Sequence, residues 1–332
     1  MSKIQNDLIN SEHNTLLSKG KVNILINKVT QEWITLGAQI ENPKKLFGSI
    51  WHEGEVGILF SNTGKGKSVL AVQIADSISK GNILLDGNSI DGMKTILFDF
   101  ELSTKAFQMR YSSELKKPYK FSQRFMRAEI DRKKYADSTT LSYEELILAS
   151  IKNTVIRDKP KVIIIDNITF LAAANEKSQE ALALMKLILD LSRKNRLSIL
   201  LIAHTPKRDI YRPIQLEDLA GSKSLSNFVD VCFCIGESVQ GDNLRYIKQL
   251  KNRNYPIKFG SENVINSRIV KADSFLQFEF LDNGSESYHL KKTEADTRFE
   301  DVKELSRSGM SNVEIAKKYD VSEKTVRNWK KK

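Results

Sequence analysis

The run Ser61-Asn62-Thr63-Gly64-Lys65-Gly66-Lys67-Ser68 has the residue types and the spacing needed to hold a polyphosphate. Gly64 and Gly66 allow the backbone to curl until successive N–H groups point at phosphate oxygens, and a helix beginning near Val69 adds the positive end of its dipole. In such a loop Lys67 reaches the β- and γ-phosphates of ATP and the Ser68 hydroxyl holds Mg²⁺. Nucleotide contacts are therefore expected from Asn62, Thr63, Gly64, Lys65, Gly66, Lys67, Ser68 and Val69. Ser61 stands where the pattern has its first glycine, at the strand exit, where contact with phosphate is least. Lys65 is an additional cation to which the motif assigns no role.

Two acids suit the other half of such a site. Asp166 ends an apolar run, KVIIID, a position from which a carboxylate orients Mg²⁺ through water. Asn167 follows it, so a second acid at that strand end does not supply the base. Glu101 lies at the tip of another apolar run, 95–100. In an open parallel sheet all strand C-termini face one crevice, so Glu101 can stand opposite the γ-phosphate and polarise water. Asp99 competes for that role, on the same face and one step deeper; the alternative for Glu101 is a solvated acid capping a helix over 103–115. His204 ends the run 198–203 and is placed to sense the γ-phosphate.

These residues need a frame. The runs 56–60, 95–100, 161–165 and 198–203 are continuous and apolar, as in strands buried on both faces of a parallel sheet. Helical stretches at 67–80, 143–157 and 178–195 alternate with them, the βαβ pattern. A run at 229–235 follows, and then 244–251, 267–270 and 275–281 succeed one another without a helix. These read as antiparallel strands that finish the sheet, with Asp282-Asn283-Gly284 as a turn. The fold class is α/β: a P-loop core with a mostly parallel sheet, antiparallel strands at its end, and a small all-α C-terminal module. The expected partition is a helical extension over 1–45, the core over 46–292 and the module over 296–332.

The run from Thr95 to Ser103, TILFDFELS, is similar to the strand-plus-Glu motif of DnaB-type helicases and their RecA-fold relatives. The lead-in from Leu46 to Glu55, LFGSIWHEGE, resembles the same proteins. Lys251-Asn252-Arg253 looks like the Lys-x-Arg element of DnaB-type rings, although Tyr255-Pro256 stands where Gly-Pro is usual. The resemblance covers about 46–281 and is nearest in flavour to RecA-like ATPases of plasmids and mobile elements, including RepA-type hexameric helicases. It implies a RecA-like core with Glu101 as base, His204 as sensor, and Arg253 with Lys251 reaching a neighbouring subunit's γ-phosphate. It also implies a homo-oligomer of the hexameric-ring kind, in DNA replication. A solvated edge strand is the plainer reading of Lys251 and Arg253.

Fifty-two Lys and Arg against 41 Asp and Glu leave a net charge of +11, an excess that attracts polyanions. The loop after His204 carries Lys207, Arg208, Arg212 and Lys223, a basic segment suited to the backbone of single-stranded DNA or simply to solvent. The stretch 110–134 is basic with interleaved aromatics, for which core packing is the better account. Near the C-terminus Ser311 and Glu314 form a capping box, 320–321 a turn, and Ser322 caps a last helix. Ile315, Ala316, Val321, Val326 and Trp329 then fall on the inner side. The pattern resembles resolvase-type helix-turn-helix units, with Lys324, Arg327, Asn328 and Lys331 outward for duplex DNA; a helical hairpin that docks protein is the alternative. No membrane span or signal peptide is expected, and the compartment is the cytosol. Cys232 and Cys234 point to one face of a strand as buried thiols. Two functions follow: an ATP-driven DNA motor of the helicase kind, or an ATP-switched DNA-binding regulator or loader.

Overall fold

The computed structural model describes residues 25–136, 142–168, 178–205, 209–219, 223–292 and 294–331. Two compact units divide the chain, Met1–Pro43 and Lys44–Lys332. In the first, helix α1 spans Thr30–Ala38. The second is built on a nine-stranded sheet. Its strands in chain order are β1 (Val56–Ser61), β2 (Thr95–Asp99), β3 (Phe125–Ala128), β4 (Val162–Asp166), β5 (Ser198–His204), β6 (Val231–Glu237), β7 (Leu244–Asn252), β8 (Val264–Ala272) and β9 (Phe275–Gly284). Their spatial order is β9-β8-β7-β6-β1-β5-β4-β2-β3. From β6 to β3 every pairing is parallel, and β6 to β9 are joined antiparallel.

The parallel strands are apolar along their length because both faces are covered. Val56, Ile58 and Phe60 of β1 join Ile163 and Ile165 of β4 in a core with Ile147 and Ile151 of α3 (Tyr143–Asp158) and Ile188 of α4 (Ser178–Asn195). The alternate residues Leu59, Ile164 and Leu200 face the other way, onto Leu70, Ile74 and Ile78 of α2 (Lys67–Lys80). Those three α2 side chains are fully buried, each contributing about 2 kcal/mol by area. Cys232 and Cys234 lie buried on the first face of β6, and burial pushes the Cys232 thiol up to about 12.

Two local expectations are corrected. Asp282-Asn283-Gly284 is not a turn: Asn283 pairs with Ile265 and Gly284 with Val264, so the residues continue β9. The reversal lies at Asp273, at φ 51°, between Ala272 and Phe275. A turn-like tripeptide stays extended here because the partner strand is long enough to pair with it. The helix expected over 103–115 is only Thr104–Arg110 (α5). It ends where Tyr111 turns into an aromatic cluster with Phe107, Phe121 and Phe275, which also takes Tyr119 and, through Phe121, Phe125. The aromatics of 110–134 are thus packed together.

Three helices close the unit: α6 (Glu294–Arg307), α7 (Asn312–Lys318) and α8 (Glu323–Lys330). They share a small core of Val302, Ile315, Ala316 and Val326, with Val321 and Trp329 partly buried against it. The Ser311–Glu314 capping box forms, and Ser322 accepts the Thr325 N–H. No helix among the described residues is long and apolar enough to cross a membrane.

Candidate functional site

The phosphate loop leaves β1 at Ser61 and enters α2 at Lys67. Gly64 and Gly66 adopt φ 75° and 100°, where side chains are rarely found. A Cβ at Gly66 would come within 2.7 Å of Ile269 and 2.8 Å of Phe278, so the glycine also permits a close approach of the antiparallel strands. Ser61 is not in the left-handed region, so its backbone does not need the glycine of the pattern. Lys67 is buried, and its Nζ donates to the Ser61 and Asn62 carbonyls at 2.9 Å each. Burial lowers its pKa to about 8, against the pull of Asp166 and Glu101.

The loop is tied to two neighbouring strand ends. Thr205 donates to the Asn62 side-chain oxygen at 2.6 Å, and the Asn62 amide donates to Glu237 at 2.9 Å. Glu237, the last residue of β6, also pairs with Lys65 at 2.7 Å. It gives Lys65 the partner that the motif left open. No local pattern in the sequence marks Glu237, because it becomes a neighbour only once β6 lies parallel beside β1.

Asp166 is buried at the end of β4 and accepts a hydrogen bond from Ser68. Burial pushes its pKa up to about 7, helped by Glu101 and Asp99 and opposed by Ser68 and Lys67. A dication would relieve this, and a hydroxyl with one carboxylate is a hard oxygen set that fits Mg²⁺. Among the described residues no group of three or more His, Cys, Asp or Glu could hold a metal. The remaining ligands would be phosphate oxygens and water. The loop glycines, Lys67 and this pair therefore fit ATP with Mg²⁺.

Glu101 follows β2, Asn167 follows β4, and His204 ends β5, three adjacent strands. The Asn167 amide donates to Glu101, and His204 Nε2 lies 3.2 Å from Glu101 and 2.7 Å from Asn167 Nδ2. The carboxylate is 35 % exposed, open enough to meet a bound water. Asp99 is otherwise engaged: it pairs with Arg127 at 2.8 Å and accepts the N–H groups of Glu101 and Leu102 at 3.2 and 2.9 Å. Ser103, not Glu101, caps α5. In the sequence Asn167 shows only that an acid is lacking there; its amide as a bridge between Glu101 and His204 is a tertiary fact.

Over residues 26–209, more than half of the chain, the sequence matches the family described as AAA domain. The chain belongs to that family. Its members are P-loop ATPases, which generally use ATP and Mg²⁺. Among solved structures, this AAA-domain chain is similar to a KaiC-like protein from the hyperthermophilic archaeon Pyrococcus horikoshii OT3. The identity is 13 % and the TM-score 0.45, over 69 % of this chain and 91 % of that one. Comparison with curated proteins finds no match.

The other expected residues of the AAA-domain protein lie apart from this cluster. Lys251 pairs in register with Cys232, and the Arg253 N–H bonds to Asp230, at the amino-terminal end of β6. That is a strand length, roughly 15 Å, from the phosphate loop. Lys251 donates to the Ser226 carbonyl at 2.7 Å, and burial lowers its pKa. Arg253 pairs with Asp230 at 3.2 Å and is about half exposed. The two are neither idle nor near their own chain's phosphates. Arg212 is held by Asp218. Lys207 and Arg208 lie outside the described residues, and of Lys223 only the backbone, at the start of helix Lys223–Phe228, is described. On α8, Lys324, Arg327 and Asn328 are exposed, as is Lys331 just beyond it, with Arg327 3.1 Å from Glu323.

Proposed function

We propose that this AAA-domain protein hydrolyses ATP through a RecA-like site and couples hydrolysis to DNA, as a helicase-like motor of a plasmid or mobile element. The observation that carries the reading is the meeting of Lys67, the Ser68–Asp166 pair and the Glu101–Asn167–His204 cluster at the ends of adjacent parallel strands. Mg²⁺ held by Ser68 and, through water, Asp166 would offset the charge of the phosphates. Lys67 and the loop N–H groups orient the triphosphate. Glu101 orients the attacking water and accepts its proton. His204 touches Glu101 on one side and leads through Thr205 into the basic loop on the other, so a change at the γ-phosphate has a short path to the DNA contacts.

Arg253 and Lys251 serve a neighbouring copy, since a strand length separates them from their own phosphates. Catalysis then needs two subunits. Arg253→Ala is expected to be inactive alone. Mixed with Glu101→Gln subunits it should regain part of the turnover, at interfaces where an intact Glu101 meets an intact Arg253. The readout is phosphate release from mixtures whose co-assembly is shown by light scattering. No recovery in a proven mixed assembly, or full activity in a proven monomer, refutes the shared site.

The exposed basic face of α8 favours a second reading, in which ATP switches assembly and the last three helices select a duplex site. Deleting residues 294–332 should leave basal ATPase intact and remove duplex affinity, while single-strand binding persists with steep salt dependence. Anisotropy with labelled single-stranded and duplex DNA measures both. Duplex affinity that survives the deletion returns these helices to protein docking. Strand separation on a tailed fork decides between motor and regulator.

A further inference from the structure

The residue that carries the farthest consequence outside the motifs is Arg127 on the edge strand β3. Its side chain is 16 % exposed, and the guanidinium forks three ways. Nε donates to Asp99 at 2.8 Å, Nη1 to Glu129 at 2.8 Å, and Nη2 to the Leu102 carbonyl. Its Cζ lies 4.9 Å from the centre of the Phe107 ring in α5. Glu129 in turn accepts from Thr104 at 3.0 Å, and its carboxyl is held below the ordinary range first by Arg127. All these contacts surround one piece of backbone, the turn from Phe100 to Ser103 that carries Glu101.

The turn has two handles, and Arg127 governs both. Asp99 holds it from the donor side through the N–H groups of Glu101 and Leu102. Arg127 holds it from the acceptor side at Leu102, and it also fixes Asp99. Asp99 is 2 % exposed and lies in register beside Asp166. Without the guanidinium two acids would face each other in the sheet, and the carboxylate that anchors the turn would have lost its cation. Either change moves Glu101.

We propose that Arg127 is a positioning residue for hydrolysis: acting through Asp99 and the Leu102 carbonyl, it fixes the turn that presents Glu101 to the attacking water. The proposal rests on Glu101 being the base. It separates chemistry from binding, because Lys67 and Ser68 open α2 and do not stand on this turn. A displacement of about 1 Å in a reacting group lowers turnover by roughly 10²-fold.

The test compares Arg127→Gln, Asp99→Asn, the double variant and Glu101→Gln in the full chain. Steady-state ATP hydrolysis is read beside the affinity for a non-hydrolysable ATP analogue, with folding followed by circular dichroism. Arg127→Gln should lower kcat by roughly 10- to 100-fold and leave analogue affinity within about 2-fold. Asp99→Asn keeps an acceptor for the two N–H groups and should lower kcat less. The double variant should be no worse than Arg127→Gln, because the two act as one unit. Arg127→Lys, which restores a cation without the fork, should recover only part of the loss. Three results overturn the proposal: kcat near the unaltered value in folded Arg127→Gln while Glu101→Gln is inactive, loss of analogue affinity in step with kcat, or single losses that multiply in the double variant. If Arg127→Gln does not fold, an unchanged kcat in Asp99→Asn refutes it and a lowered one at constant affinity supports it. A Glu101→Gln chain that still turns over removes the base reading, and the proposal with it.

Discussion

Replacing Lys67 with alanine is expected to abolish ATP turnover and to weaken nucleotide binding. The lysine is buried, and its ammonium rests on two loop carbonyls, those of Ser61 and Asn62. A buried cation needs more than two neutral acceptors, which is why burial lowers its pKa to about 8. A triphosphate in the loop supplies the missing charge and is held in return. Loss of one such donor lowers turnover by about 10²–10³-fold, and here the donor also carries full charge. Affinity for an ATP analogue should fall by about 10-fold or more, equivalent to about 1.4 kcal/mol. The depressed pKa adds a pH dependence. In the free protein Lys67 is mostly protonated below pH 8 and neutral above it, so analogue affinity should decline as pH rises through about 8. That decline should vanish in Lys67→Ala. Phosphate release and fluorescence titration across pH 6.5–9.5 (a range of about three units) measure both effects. Unchanged hydrolysis in a folded Lys67→Ala chain refutes the phosphate-site assignment.

Glu101→Gln should separate binding from chemistry. Glutamine keeps the side-chain oxygen that Asn167 and His204 meet, so the cluster and the fold should persist. It removes the ability to take a proton from water. Turnover should fall by roughly 10²–10⁴-fold, the range for a lost general base, with analogue affinity nearly unchanged. Asp99 does not offer an escape, since its carboxylate is spent on Arg127 and on two backbone N–H groups. Turnover near the unaltered rate would put the base elsewhere and weaken the likeness to DnaB-type proteins.

The phosphate loop, the parallel strands and their helices were legible in the sequence because each is set by a short-range rule. Gly64, Gly66 and Lys67 act within one turn of chain, and continuous apolar runs mark strands covered on both faces. Helix Lys67–Lys80 and helix Ser178–Asn195 fall where periodicity places them. Tertiary structure alone decided which side chains meet across strand ends. Glu237 finds Lys65, Asn167 joins Glu101 to His204, and Arg127 reaches Asp99, each across a gap in sequence that no local pattern encodes. The same holds where the local signal misled. Asp282-Asn283-Gly284 carries turn residues, yet its partner strand Val264–Ala272 is long enough to draw it into the ladder. Local chemistry thus specified what could bind a phosphate, whereas strand order specified which acids, amides and cations surround it, because neighbours in a sheet are set by packing of the whole chain and not by distance along it.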